Sequence, residues 1–327
     1  MRNMILITGG AGYVGSHTVK RFRGAGHSVV VFDSLSRGHR EAVPKGVRFE
    51  KVDLTDARAL ESALRRHKRI DGIIHFAAFA YVGESVIHPD LYYTNNVVGS
   101  VNLLTAMRNR GIGRIVFSSS CSIYGNAAQQ PISEEHPARP MNPYAMTKYV
   151  VETMLKNEEK SHGLRFVALR YFNAAGADPE GALGESHDPE PHLIPRIIAA
   201  ARNKRSTLPI FGNDYPTSDG TCIRDYIHVD DLAGAHLLAW EYLDRGGRSR
   251  AINLGTGTGS SVREVIHAVE KAAGRKIRAR IAPRREGDPA ILVADIRLAK
   301  KLLGWTPCHT LSSIIETAWK WHRSPRF

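Results

Sequence analysis

Cysteine is scarce. Cys121, Cys222 and Cys308 are the only three in a chain of 327 residues. They stand far apart, without the paired spacing of a zinc knuckle, and an odd, scattered set builds no disulfide framework. The pattern points to a reducing, cytoplasmic setting. Long apolar runs are also missing: nothing approaches the ~20 consecutive apolar residues of a membrane-spanning helix, so no membrane partner is expected. The first apolar strand pattern starts at Met4, so a secretory leader is not expected either. Acidic residues are outnumbered, 32 against 45 Lys and Arg, for a net charge of +13. The basic residues are spread along the chain, denser only from Arg275 to Arg285, and no nucleic-acid recognition module is legible. Nucleic acid is therefore not an expected partner. The excess reads as a basic surface, or as local capture of an anionic small molecule such as a nucleotide diphosphate. No repeat or low-complexity tract interrupts the chain. A hydrophobic share of 43% and a charged share of 24% fit a globular protein with one large core or two modest ones.

What is present starts at Met4-Ile5-Leu6-Ile7, a run suited to a buried parallel strand. Thr8-Gly9-Gly10-Ala11-Gly12-Tyr13-Val14-Gly15 follows, and then a helical pattern from Ser16 to Gly26. Glycines at a strand-to-helix junction, here Gly9, Gly12 and Gly15, allow a tight turn and a close backbone approach to a phosphate. The helix start then offers N–H groups and a partial positive charge to a pyrophosphate. Val29-Val30-Val31-Phe32 reads as a second strand ending at Asp33, where a carboxylate accepts hydrogen bonds from an adenosine ribose. Asp33 would repel a 2′-phosphate, so NAD is expected rather than NADP, although Arg37 and Arg40 lie near it in sequence.

Val47–Val52 reads as a third strand, ending at Asp53-Leu54; that pair either flanks an adenine or prepares a helix cap before Ala57. Ile70–Phe76 reads as a fourth strand. The small residues after it, Ala77 and Ala78 beside Phe76, let a flat cofactor lie against backbone at a strand's C-terminal end. Asp90–Arg108 reads as one long helix. Asn95 and Asn96 are unusual inside it, because asparagine is a mediocre helix former; one either bonds neighbouring backbone or holds cofactor or water. Ile112–Ser118 is a fifth strand, leading into Ser119-Ser120-Cys121-Ser122. Pro143 opens the next helix, to about Ser161, with Tyr144 and Lys148 at i, i+4 on one face. Leu164–Arg170 is a sixth strand. Gly181–Pro195 is irregular, and later helices are expected over Asp230–Tyr242 and Ser261–Ala273. This order predicts an α/β protein: a Rossmann-type doubly wound parallel sheet with a smaller mixed C-terminal substrate domain. The division falls at 1–175, with later segments returning to the first part, and 176–327.

Ser120, Tyr144 and Lys148 beside a nicotinamide suggest a redox mechanism. Tyrosine, with a reference pKa of about 10, is a poor base. A lysine ammonium and a positive nicotinamide would favour its phenolate, and the serine hydroxyl would orient the substrate oxygen.

This constellation resembles the extended short-chain dehydrogenase/reductase family over nearly the whole chain. Within that family it is similar to the UDP-sugar 4-epimerases, through His75-Phe76-Ala77-Ala78, Val82-Gly83-Glu84-Ser85, Tyr92-Tyr93-Thr94-Asn95-Asn96-Val97, Leu169-Arg170-Tyr171-Phe172-Asn173, Ile210–Pro216, Arg224–Val229 and Ala282–Asp288. The resemblance implies interconversion of UDP-glucose and UDP-galactose at C4. Hydride passes to a tightly held NAD, the 4-keto sugar rotates about its phosphate link, and hydride returns to the other face. It implies cofactor contacts from Gly9, Gly12, Tyr13, Val14, Gly15, Asp33, Asp53, Leu54, Phe76, Ala77, Ala78, Asn95, Tyr144, Lys148 and Phe172. It implies UDP-sugar contacts from Ser120, Asn173, His192, Leu193, Phe211, Arg224, Tyr226, Arg285 and Asp288, the arginines neutralising the diphosphate, and no metal. Glu84 is read as structural. Sugar-nucleotide 4,6-dehydratases carry an acidic pair where Cys121 and Ser122 stand here. Ala80 stands where some epimerases carry lysine, so that loop is not expected to hold the nicotinamide ribose by charge; Leu292 stands where some carry a bulky tyrosine, which leaves room for UDP-N-acetylhexosamines, and UDP-pentoses stay open as a further alternative. A non-catalytic nucleotide-sugar or NAD-binding protein is the alternative of a different class. The resemblance further implies a homodimer pairing the 90–108 and 143–161 helices, with Val150, Val151, Met154 and Leu155 facing either the partner or the core.

Overall fold

The structure, a computed structural model, describes residues 3–203, 205–285 and 288–327. Its elements in chain order begin β1 (Met4–Thr8), α1 (Tyr13–Gly24), β2 (Ser28–Asp33), β3 (Arg48–Lys51), α2 (Ala57–Arg65) and β4 (Gly72–His75). α3 (Val82–Ile87), α4 (Pro89–Tyr92), a π-helical stretch (Tyr93–Val98) and α5 (Gly99–Asn109) follow, then β5 (Arg114–Ser120), α6 (Pro143–His162), β6 (Arg165–Tyr171) and β7 (Asn173–Ala175). The remainder is α7 (Leu193–Arg202), β8 (Leu208–Phe211), β9 (Ile223–Arg224), β10 (Tyr226–His228), α8 (Val229–Asp244), β11 (Arg250–Leu254), β12 (Ser260–Ser261), α9 (Val262–Ala273), β13 (Ala279–Ala282), β14 (Ile291–Leu292), α10 (Arg297–Leu303) and α11 (Leu311–Arg323).

The chain divides into two compact units: Met1–Ile123 with Ala138–Arg170 and Ala233–Ile252, and Tyr124–Pro137 with Tyr171–Leu232 and Asn253–Phe327. The first is built on a seven-stranded sheet of order β11-β6-β5-β4-β1-β2-β3. The register of β1 against β2 and β4, of β2 against β3 and of β4 against β5 is parallel. Strands buried on both faces need unbroken apolar runs, which is why Ile5, Leu6, Ile7, Val30, Val31, Phe32, Ile73 and Ile74 are sealed from solvent. Winding reverses between β1 and β4, which makes the C-terminal ends of those strands the expected ligand crevice. The second unit has its own core, in which Ile194, Ile197 and Ile198 of α7 meet Val265 and Val269 of α9 and Ile314 and Ile315 of α11.

The structure corrects one expectation and decides one that was open. The 90–108 segment is not one regular helix: a π-helical turn interrupts it at Asn95 and Asn96. Val151 and Leu155 are core residues of the first unit rather than a surface for a partner. The sequence reading also passed over α10 and α11.

Candidate active site

The glycine turn is closed largely by backbone contacts. Gly9 N donates to Phe32 O at 2.8 Å, and Ser16 N to Gly12 O at 2.9 Å. A Cβ on Gly15 would stand 2.1 Å from Gly9 O, so α1 can start here only with glycine. Gly12 is different: a Cβ there would meet only Gly9 O, at an ordinary 3.4 Å. The protein leaves room beside Gly12, α1 has no side-chain cap, and its first turn carries no acid. Such a cradle suits a pyrophosphate.

At the end of β2, Asp33 is 7% exposed; Oδ2 accepts from Ala11 N at 2.9 Å and Oδ1 from Leu35 N at 2.8 Å. Burial raises its carboxyl pKa while those two backbone bonds pull it down. Leu35 is held in the left-handed region at φ 59°, a strained conformation for a non-glycine residue. Arg37 pairs with Glu84 at 2.5 Å and stacks over Phe79 and Tyr81, while Arg40 lies over Phe49. Both arginines near Asp33 are thus engaged elsewhere. Glu84 also accepts from Tyr92 Oη at 2.8 Å, a bonding role.

Asp53 accepts from Thr55 N and Oγ1 at 2.8 and 2.7 Å, Asp56 caps α2, and the Leu54 side chain lies in the core. Phe76 N and Ala77 N both donate to Thr8 O, and the Phe76 ring lies 4.6 Å from the His236 ring. Asn96 braces the following loop: its Oδ1 accepts from Phe79 N at 2.8 Å and its Nδ2 donates to Phe79 O at 3.0 Å. The same Nδ2 reaches Thr147 Oγ1 at 3.0 Å, and Thr147 Oγ1 donates to Tyr144 O. The extra residue of a π turn aims Asn96 at these partners, a common use of such bulges. Asn95, half-buried, donates to Asn96 Oδ1.

The acid–base group grows from β5 and α6. Asn142 Oδ1 caps α6 at Ala145 N, 2.9 Å, and Pro143 occupies the first turn. One turn on from Tyr144, Lys148 is 3% exposed; its Nζ donates to Ser118 O at 2.8 Å and lies 5.8 Å from the Tyr144 ring centroid. Burial pushes the lysine pKa down to about 7. Ser120 ends β5, and its Oγ accepts from Ser122 N and Oγ at 3.2 and 2.9 Å. Beneath them, Glu152 takes Arg170 Nε and Nη2 at 2.9 and 2.6 Å and the Ser119 hydroxyl at 2.5 Å. The sequence reading missed this buried knot; Glu152 sits i+4 from Lys148, which was the available signal. His75 bridges Thr8 Oγ1 and Ser100 Oγ at 2.7 and 3.0 Å, and burial together with the Lys148 charge pushes its pKa down to about 3, so it is neutral.

The second unit groups most of the residues expected at a UDP moiety. Arg224 donates to Ile223 O, Pro289 O and Asp288 Oδ1 at 2.8–2.9 Å. Arg285 stacks 4.1 Å over Phe211. Asn173 and Tyr226 face each other in the β7–β10 pair, and Asn173 Nδ2 donates to Asp225 O. Phe172 N donates to Leu254 O at the head of that pair. His192 precedes Leu193 and turns Nδ1 to Glu185, 2.5 Å away. Asp225, quoted only within a motif, is the organiser here: its carboxylate collects Thr256, Gly257 and Ala294 amides. Glu286 and Gly287 of the Ala282–Asp288 stretch lie outside the described residues.

The switch-point sheet and the glycine cradle together define a dinucleotide-fold protein, with Tyr144 and Lys148 on one face of α6 and Lys148 tied to β5. The chain belongs to the NAD dependent epimerase/dehydratase family, whose sequence model matches residues 5–255. It is 51% identical over 320 residues, 98% of this chain and 97% of the other, to a UDP-glucose 4-epimerase of Rhizobium meliloti. Among solved structures, the UDP-glucose 4-epimerase of Brucella ovis in complex with NAD superposes with a TM-score of 0.93 at 48% identity, covering 97% of both chains. The enzyme of Stenotrophomonas maltophila with bound NAD and formylated UDP-arabinopyranose gives 0.94 at 40% identity, covering 99% of this chain and 98% of that one. Among the described residues no helix is long and apolar enough to cross a membrane.

Proposed function

We propose that this chain is an NAD-dependent UDP-sugar 4-epimerase that interconverts UDP-glucose and UDP-galactose. One observation carries the reading: Tyr144 and a buried Lys148 stand on one face of α6, with Lys148 tied to β5 two residues before Ser120. They do so in a chain sharing half its residues with a UDP-glucose 4-epimerase. The Gly12 cradle and Asp33, together with Tyr13, Val14, Phe76–Ala78, Asn95 and Lys148, hold the cofactor. NAD bound there supplies reversible hydride acceptance at the sugar's C4. Tyr144 takes the proton of the 4-hydroxyl and returns it. Lys148 steadies the phenolate by charge, and Ser120 orients the sugar oxygen. Arg224 and Arg285 neutralise the diphosphate, with Asn173, Tyr226, Phe211, His192, Leu193 and Asp288 around the nucleotide. The engagement of Arg37 by Glu84 supports NAD over NADP, since it leaves Asp33 to repel a 2′-phosphate. The scattered cysteines support a cytoplasmic setting.

We read the protein as a homodimer. Val86, Ile87, Leu91, Val98 and Val101 on α3–α5 are 43–73% exposed, an apolar strip that pairing would cover. Light scattering should return twice the chain mass.

The direct test is to incubate purified protein with UDP-glucose and no added cofactor. UDP-galactose is the expected product. Silence on hexose, N-acetylhexosamine and pentose nucleotides, even with NAD supplied, would favour a binding protein without turnover.

A further inference from the structure

Outside the residues assigned to proton transfer, one cluster gathers four metal-type donors. Glu185 and His187 lie in the irregular segment before α7, Glu190 follows, and His192 caps the helix. Glu185 Oε1 stands 3.2 Å from His187 Nδ1 and 2.5 Å from His192 Nδ1. The Glu190 oxygens stand 3.5 Å from His187 Nδ1 and 3.4 Å from His192 Nδ1. All four donor atoms lie within 4.8 Å of one another. The side chains of Glu185, His187 and Glu190 are only 5%, 15% and 21% exposed; that of His192, at 46%, faces solvent and offers an entry path.

We propose that Glu185, His187, Glu190 and His192 form a structural binding site for a divalent zinc-class cation, which fastens this irregular segment to the start of α7. Two imidazoles and two carboxylates are a zinc-type donor set. The two imidazole nitrogens favour that ion over oxygen-seeking magnesium and calcium, and the spacing fits its tetrahedron. Bonds of about 2.0–2.1 Å in a tetrahedron put neighbouring donors ~3.3 Å apart, whereas an octahedron of the same bonds puts them ~3.0 Å apart. Counting either Glu190 oxygen, three of the four carboxylate–imidazole separations are 3.2–3.5 Å. The fourth, 2.5 Å, is a hydrogen-bond distance, so a proton shared by Glu185 and His192 must leave and that edge must open. Charge makes the same point. With both rings neutral the cluster carries two negative charges, which either two imidazole protons or one dication balances. Metal entry therefore releases protons from the rings. His322 and Arg202 are further charged or titratable groups near this cluster. His192 is shared with the proposed nucleotide site, but metal binding is read without turnover, so the two readings fail separately.

The test uses untagged full-length protein, stripped with EDTA and dialysed, and titrated with zinc chloride against a competing chelating dye. One equivalent should bind at submicromolar concentration, and a Glu190→Gln/His187→Gln variant should bind roughly a hundredfold or more weakly. Cys308→Ser should keep full affinity, because Asp231, Cys308 and His309 make a separate cluster. Cobalt loading of the wild-type protein gives a second reading that needs no variant: tetrahedral d–d bands without a thiolate charge-transfer band. No stoichiometric binding, binding unchanged in the double variant, loss in Cys308→Ser, or a thiolate band would each overturn the proposal.

Discussion

Two charge clusters, one in each unit, are packed differently. In the first, polar groups near the acid–base residues are buried and locked by short bonds: Lys148 on Ser118 O, and Glu152 between Ser119 and Arg170. In the second, the carboxylate of each arginine pair lies nearer solvent, although the Arg224 side chain itself is only 11% exposed. Arg224 meets a 31%-exposed Asp288, and a 42%-exposed Arg284 meets Asp214. Burial shifts titration, because an ammonium without solvent holds its proton less tightly, as Lys148 shows. An arginine whose carboxylate partner lies near water can exchange it for a diphosphate at small cost.

Substitutions sharpen this contrast. Tyr144→Phe should lower kcat by about 10²–10⁴-fold, the usual worth of general acid–base catalysis. Its fold should be kept, since Thr147 bonds the Tyr144 carbonyl rather than the ring. Steady-state rates and circular dichroism check both halves. Glu152→Ala strands Arg170, whose side chain is 7% exposed, and should cost ~3–5 kcal/mol in a denaturant melt. Arg224→Ala removes a more accessible charge. It should weaken UDP-sugar binding by about 1.5–3 kcal/mol and raise KM far more than it lowers kcat. A kcat collapse instead would erase the distinction between the units.

Much of the first unit was legible because its signals are local. A strand, three glycines, a second strand and an acid lie within Met4–Asp33, and Tyr144 and Lys148 share one helix face. The Glu152–Arg170 knot was not legible, since it joins a helix to a strand and depends on burial that sequence does not state. Nor was the π turn: Asn95-Asn96 marked the place as odd, but its cause is the three-way bonding of Asn96 to Phe79 and Thr147. In the second unit the short strands β9, β12 and β14 carry too few residues for any periodicity to show.

Smaller effects probe the second unit. Leu292 pairs with Arg224 across β14 and β9. Leu292→Tyr should penalise UDP-N-acetylhexosamines over plain hexoses by about 1–3 kcal/mol in relative kcat/KM. An unchanged ratio removes Leu292 from substrate selection. The smallest effect is a pH dependence measured with EDTA present. Burial opposes charge on His187 and His192, but bonds and attraction to Glu185 and Glu190 outweigh it, raising their pKa values from 6.5 to about 9 and about 10. Their stabilisation is full below pH 6.5 and lost as pH rises through those values. The Tm difference between wild type and His187→Gln should therefore shrink above pH 9. A difference constant from pH 6 to 10 would contradict the charged cluster.

The central claim is that one carbon gives up hydrogen and takes it back within a single closed site. UDP-glucose deuterated at C4 tests it in ordinary water. The account predicts UDP-galactose that keeps its deuterium at C4, because Tyr144 handles only the hydroxyl proton. Product carrying solvent hydrogen at C4 would mean that the carbon itself is deprotonated, and the mechanism assigned to Ser120, Tyr144 and Lys148 would be wrong.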